Sequence, residues 1–194
     1  MLAQSALAPD AALAQLMSGN ARFMAGNLTS LQEDLELLKQ KTVGKQEPFA
    51  AVLSCADSRV PVELVFDQTI GHLFVCRVAG NFCSPEIIAS LEYGAAVLGV
   101  RVIMVLGHDS CGAVKAAIDA KPAPGQISAL YAPLRPAVER AGPDLAATVK
   151  ANAQIQAGLL RAASPVLAGM VTDGKLKVVA SYYDLSSGAV TLLG

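Results

Sequence analysis

The sequence predicts an α/β fold: a mostly parallel central β-sheet flanked by helices, with a helical arm at the N-terminus and an edge strand at the C-terminus. Three observations predict it. From Phe49 onward, short apolar runs alternate with helical stretches, as expected of strands that crossover helices bury on both faces. Residues 1–45 carry helical patterning and no strand-like run. The last two apolar runs are joined by Asp184–Gly188, a turn-rich pentapeptide that folds one back on the other.

Each element has its own signal. Asp10 is expected to cap a helix running to about Gly26, and Ser30 with Glu33 forms a capping-box pattern before a second amphipathic stretch, Leu31–Lys41. Both helices are expected to lie outside the sheet, the arm 1–45 packing on a partner subunit. Strands are expected at Phe49–Ser54, Leu73–Val78, Val100–Leu106 and Lys175–Tyr183, with Ala189–Leu193 as the closing hairpin strand. Ser84 as N-cap and Pro85 at the first helical position open a helix to about Leu98, which Gly99 ends. Cys111–Asp119, Ser128–Arg140 and Asp144–Ala163 are the remaining helices.

The 194 residues carry no internal repeat, low-complexity tract or linker, so a single domain, 1–194, is expected. A domain of this size buries roughly 70% of its unfolded surface, so it builds a core without metal or disulfides, and any metal site invites a functional reading. With 15 basic and 16 acidic side chains there is no basic tract for nucleic acid. Mean hydropathy is high at +0.45. The most apolar stretch, Leu91–Gly107, is nevertheless interrupted by Glu92 and Arg101, so no membrane span is expected. The apolar surplus instead predicts a homo-oligomer. No charged segment followed by an apolar one precedes Arg22, which predicts a cytoplasmic protein, or a periplasmic one whose leader has been removed.

Two polar islands follow predicted strands: Cys55-Ala56-Asp57-Ser58-Arg59 and His108-Asp109-Ser110-Cys111-Gly112. In open α/β sheets ligands bind at that carboxyl edge. If the two strands are neighbours, Cys55 comes within reach of His108 and Cys111, and two Cys with one His is a catalytic zinc set that leaves a fourth position open. Asp57 and Arg59, two residues apart, can pair so that the carboxylate stays ionised and fixed in direction. Taken singly, a His-x-x-Cys is a weak signal, since free cysteine is among the most buried residue types. Cys76 and Cys83 read as such ordinary small buried side chains.

At these residues the sequence resembles the bacterial β-class carbonic anhydrases. CADSRVP (Cys55–Pro61), RVAGN (Arg77–Asn81) and HDSCGAV (His108–Val114) match the family's motifs, and GNARF (Gly19–Phe23) is similar to its amino-terminal helix. The resemblance implies reversible hydration of CO2 to bicarbonate and a proton by zinc-bound hydroxide, with one Zn2+ per chain. It implies Cys55, His108 and Cys111 as ligands, and Asp57 with Arg59 as the dyad beside the metal. Gln46, Phe74, Ala79, Tyr93 and Gly112 fall on the family's substrate pocket, which lies partly across a dimer interface; the expected assembly is a dimer or a dimer of dimers. Ala79 stands where many members carry Val, which loosens the pocket wall. Val52 stands where a regulated subgroup carries Trp, so no bicarbonate regulation is expected. Arg77 and Asn81 are expected to order the strand end and the subunit contact.

Two arrangements of the site occur in the family: Asp57 paired with Arg59, or Asp57 on the metal with Arg59 released. His72 is the only imidazole left to export a proton, although a solvated loop histidine is the simpler reading. Two rivals to CO2 hydration are hydrolysis of COS or CS2 on the same site and a catalytically silent zinc module.

Overall fold

The structure, a computed structural model, describes residues 7–32 and 35–194. Glu33, and with it the capping-box pattern, lies outside the described residues. The elements in chain order are α1 (Pro9–Met24), α2 (Leu35–Thr42), β1 (Ala50–Ser54), α3 (Val62–Val65), β2 (Leu73–Arg77), α4 (Pro85–Ala96), β3 (Val102–His108), α5 (Gly112–Asp119), α6 (Tyr131–Ala141), α7 (Leu145–Ala163), α8 (Pro165–Thr172), β4 (Lys177–Tyr183) and β5 (Val190–Leu193). Short 3-10 turns span Ser30–Gln32 and Ile127–Leu130. No helix among the described residues is long and apolar enough to cross a membrane.

The sheet runs β2-β1-β3-β4-β5, parallel except for β5, which pairs antiparallel with β4 at the edge. From β1 the chain moves outward to β2, then crosses back over β1 to β3. The crevice between the carboxyl ends of β1 and β3 is therefore the topological switch point, where doubly wound sheets bind ligands.

Alternation along the strands fills two cores. Ala51, Leu53, Ile103, Val105, Val178 and Ala180 face α4, α7 and α8, while Ala50, Val52, Val102, Met104 and Leu106 face α1 and α3. All five residues of β1 are buried, as a strand covered on both faces requires. Seven residues of β3 pair with β4, so the strand extends through Gly107 and includes His108, two residues beyond the expected end.

The amino-terminal expectations need correction. Ala8, not Asp10, is the N-cap of α1 and makes no side-chain cap bond; Asp10 lies in the first turn, behind Pro9, and its carboxylate pairs with Lys177. Nor does α1 stand outside the sheet. Ala12 and Leu16 are fully buried against the chain's own strands. Gly19 approaches α3 so closely that a Cβ there would overlap the Phe66 carbonyl oxygen at 1.8 Å. The second helix starts at Leu35, because Ser30–Gln32 forms a separate turn tied by the Thr29 and Ser30 amides to Asp67. Two helices were not anticipated. One is α3, a single turn; the other, α8, opens with Ser164-Pro165, the same signal as Ser84-Pro85. Ser84 and Ser164 each accept the amide of the third residue onward, at 3.4 and 3.0 Å.

Candidate metal centre

β1 and β3 are paired so that Ser54 lies opposite Leu106. Cys55 therefore leaves β1 beside the end of β3, where His108 is the last strand residue, and Cys111 is the N-cap of α5 three residues later. One ligand atom from each of Cys55, His108 and Cys111 falls within 4.8 Å of the other two. The two sulfurs are 4.0 Å apart, and all three side chains are buried. His108 Nδ1 bonds the Asp109 carbonyl at 2.7 Å. Its Nε2 is buried with no hydrogen-bond partner among the described residues. A buried imidazole nitrogen left without a partner is costly unless something else takes its lone pair, and two sulfurs beside it complete a soft, cation-ready set. The chain's donors thus fit a metal of zinc type.

The electrostatics agree. The Cys111 thiol holds Cys55 well below the usual thiol range; burial opposes this, and His108 and the Gly80 amide assist. Cys111 is pushed up by Cys55, then by burial, with the Val114 and Ala113 amides at the start of α5 opposing. One proton leaves this pair easily and the second does not, because two negative sulfurs at 4.0 Å repel unless a cation lies between them. Burial lowers the His108 pKa, but Cys55 outweighs it and the net direction is upward.

Asp57 sits on the loop after β1. Arg59 grips it at two points, Nε to Oδ1 at 2.9 Å and a terminal nitrogen to Oδ2 at 2.8 Å, and its own amide bonds Oδ1 at 2.9 Å. Arg59 also reaches the Ser110 carbonyl at 3.2 Å, joining the two ligand loops. This guanidinium, against a smaller penalty from burial, keeps the Asp57 carboxyl well below the usual carboxylate range. Asp57 Oδ2 lies 3.8 Å from His108 Nε2. The carboxylate thus borders the three donors while bonded to Arg59. Arg77 fixes the same loop from behind, donating to the Cys55 carbonyl at 2.9 Å and the Asp57 carbonyl at 2.5 Å.

Gly112 opens α5 with nothing near the position a Cβ would occupy, leaving room above its amide. Ala79, half-buried, lies in the turn after β2. Gln46, Phe74 and Tyr93 gather elsewhere on the chain. Gln46 and Tyr93 line a cavity of about 400 Å³ with Val43 and Leu98, and the Tyr93 and Phe74 ring centroids are 6.4 Å apart. Phe74 lies opposite Ala51, four residues before Cys55, a separation of about 13 Å at strand rise. His72 stands just before β2, at the amino end of the sheet, its ring tilted against Phe49. It is remote from the donors of its own chain.

Cys76 and Cys83 stay out of the cluster. Burial pushes Cys76 to about 11 and, with help from Cys76, Cys83 to about 12, so both are protonated thiols.

The family model described as "Carbonic anhydrase" matches residues 50–190. The chain belongs to the carbonic anhydrase family. Its class is β: the solved structures it resembles include tetrameric β-carbonic anhydrases from Sordaria macrospora, at 25% identity and a TM-score of 0.76 over 95% of this chain and 98% of that one. A Coccomyxa β-carbonic anhydrase in complex with acetazolamide follows at 27% and 0.73, over 93% and 86%. Among curated relatives, a carbonic anhydrase of Mycolicibacterium smegmatis is 36% identical over 95% of this chain and 93% of its own length. Carbonic anhydrase 2 of Mycobacterium tuberculosis is 34% identical over 95% and 92%.

Two things went unnoticed in the sequence: Gly80 was read only beside Ala79 in the pocket wall, whereas its amide donates to Cys55 Sγ at 3.3 Å, and Asn152 and Gln156 on α7 were passed over. Gly80 had a signal in retrospect, a glycine at the third position of a turn after a strand. The two α7 amides had none, since polar residues on a long helix ordinarily face water.

Proposed function

We propose that this carbonic anhydrase family member catalyses the reversible hydration of CO2 to bicarbonate and a proton, with one Zn2+ per chain held by Cys55, His108 and Cys111. The observation that carries the proposal is the partnerless, fully buried His108 Nε2 beside two thiols and an arginine-fixed carboxylate. Bound there, zinc supplies the Lewis acidity that makes water nucleophilic near neutral pH.

The chain's residues do the rest. His108 is held in one tautomer and orientation by the Asp109 carbonyl, so Nε2 is its ligand atom. Asp57, kept ionised by Arg59, is a hydrogen-bond acceptor of fixed direction at the edge of the donors; it orients the attacking water by accepting its hydrogen bond. Arg59 keeps the carboxylate from turning toward the ligands and ties the two ligand loops together. The open space over Gly112 gives a small linear molecule access, with the helix amide there available to an oxygen as charge develops.

The Gln46, Phe74 and Tyr93 cleft is too far along the sheet to complete the site of its own chain. A second copy of the chain brings it there, with Gln46 as hydrogen-bond donor to substrate. Val43 and Tyr93, 86% and 46% exposed at this cleft, are apolar surface that such a dimer covers. α2, and the face of α1 turned away from the sheet, remain available to a partner.

The test is stopped-flow CO2 hydration at about pH 8.5, chosen to lie above the pKa near 7 of a catalytic zinc-site water, on protein whose metal content is measured by elemental analysis. One zinc per chain with fast hydration is expected. Zinc without hydration would overturn the assignment in favour of a COS or CS2 hydrolase or a silent zinc module.

A further inference from the structure

The turn after β2 is built around one glycine. The Asn81 amide bonds the Val78 carbonyl at 2.9 Å, and Gly80, third of the four turn residues, has φ +84°, the conformation a type II turn demands there. A Cβ at Gly80 would also meet Leu134 Cδ1 at 2.9 Å. This conformation sends the Gly80 amide to Cys55 Sγ at 3.3 Å.

The turn is held from behind by α7. Asn152 Nδ2 donates to the Gly80 carbonyl at 2.9 Å. One helical turn on, Gln156 Nε2 donates to Asn152 Oδ1 at 3.2 Å, while Gln156 Oε1 accepts the Cys83 amide at 2.9 Å. The two side chains are 1% and 4% exposed, on a buried face that apart from Thr148 is apolar: Val149, Ala151, Ala153, Ala157 and Leu160. Carboxamides buried on such a face are retained at a desolvation cost, and here every bond they make serves the segment that delivers the Gly80 amide.

We infer that Asn152, braced by Gln156, is a positioning residue for the metal centre: it fixes Gly80 so that its amide withdraws charge from the Cys55 sulfur. The inference rests on the metal-centre reading above. Two thiolates neutralise a divalent cation and weaken it as a Lewis acid; an amide bonded to one of them offsets part of that donation. Asn152 touches no substrate and acts only through Gly80.

Cobalt(II)-substituted protein provides the readout, since its near-ultraviolet sulfur-to-metal charge-transfer band reports thiolate donation directly. In Asn152→Leu the band is expected to move to longer wavelength, with a smaller shift in the same direction for Gln156→Leu. Should Asn152→Leu fail to fold, Asn152→Ser serves, its hydroxyl polar but too short to reach Gly80. A folded Asn152 variant that melts at a lower temperature while its band stays in place would overturn the inference, because a merely structural residue predicts that result. Absence of any thiolate band in the wild-type protein would instead overturn the metal-centre reading itself, and this inference with it.

Discussion

Arg59 holds both oxygens of Asp57, and the held carboxylate stops 3.8 Å from the one nitrogen of His108 that has no partner. In the proposed mechanism, an ionised carboxylate fixed at that place accepts a hydrogen bond from the attacking water and keeps its own direction while doing so. The arginine matters as much as the acid, because without it the carboxylate turns freely.

Replacing the acceptor tests this. Asp57→Asn preserves shape but offers an N–H where a lone pair is needed. CO2 hydration should fall by about 10- to 100-fold, the scale on which a partner that orients a group at a metal site contributes. Zinc content by elemental analysis should remain one per chain. Unchanged turnover with metal retained would leave Asp57 without the role assigned to it.

The strands and the two polar islands at their ends were legible because both follow from local pattern, apolar runs alternating with helices; that β1 and β3 are neighbours, on which the meeting of Cys55 with His108 and Cys111 depends, was a condition that only the sheet order supplies. The role of GNARF was not. Asn20 donates to the Val65 and Gly188 carbonyls at 3.1 and 2.8 Å and accepts the Val190 amide at 2.9 Å, while Arg22 bonds Asp67. These partners lie 45 to 170 residues away in sequence, and no periodicity encodes them. The segment also carries the clamp that fastens α1 to its own sheet.

Removing that clamp should be expensive. Asn20→Ala leaves two carbonyls and one amide buried and unsatisfied. Each such loss costs about 1–3 kcal/mol, so about 3 kcal/mol or more is expected in urea unfolding. A change under about 0.5 kcal/mol, the scatter of neutral surface substitutions, would mean that water replaces the side chain.

Asp67 links the same region to pH. Burial would raise its pKa, but Arg22 and the Ser30 and Thr29 groups outweigh it and hold the carboxyl well below the usual value near 4. A carboxyl depressed in the folded state contributes stability that is present in full above pH about 4 and lost as pH falls through the native value. Unfolding free energy should therefore drop between about pH 4 and 2 by on the order of 2 kcal/mol from this group. The measurement is urea midpoints across that range. Asp67→Asn should be less stable at neutral pH and show a shallower acid dependence; an unaltered slope would assign the acid sensitivity elsewhere.

The two outlying thiols supply a negative control. Cys76 is buried and Cys83 half-buried, their thiols are raised to about 11 and 12, and neither belongs to the Cys55, His108, Cys111 cluster. The double variant Cys76→Ser, Cys83→Ser should keep one zinc per chain and wild-type hydration. Loss of metal would show that these sulfurs belong to the site after all.

The proposed division of the site between subunits has a sharper consequence than oligomerisation alone. Cys55→Ala destroys the metal centre but leaves Gln46 intact to serve a partner; Gln46→Ala does the reverse. Each variant by itself has no complete site. When equal amounts are unfolded together and reassembled, about half of the dimers are mixed, and each mixed dimer has one site whose metal donors and whose glutamine are both native. Activity should recover to about a quarter of the wild-type value per chain, since one site in four is then complete. If Gln46 served its own chain, every site would keep one defect or the other and mixing would restore nothing. Recovery in the mixture, absent from either variant alone, thus reports where the glutamine acts.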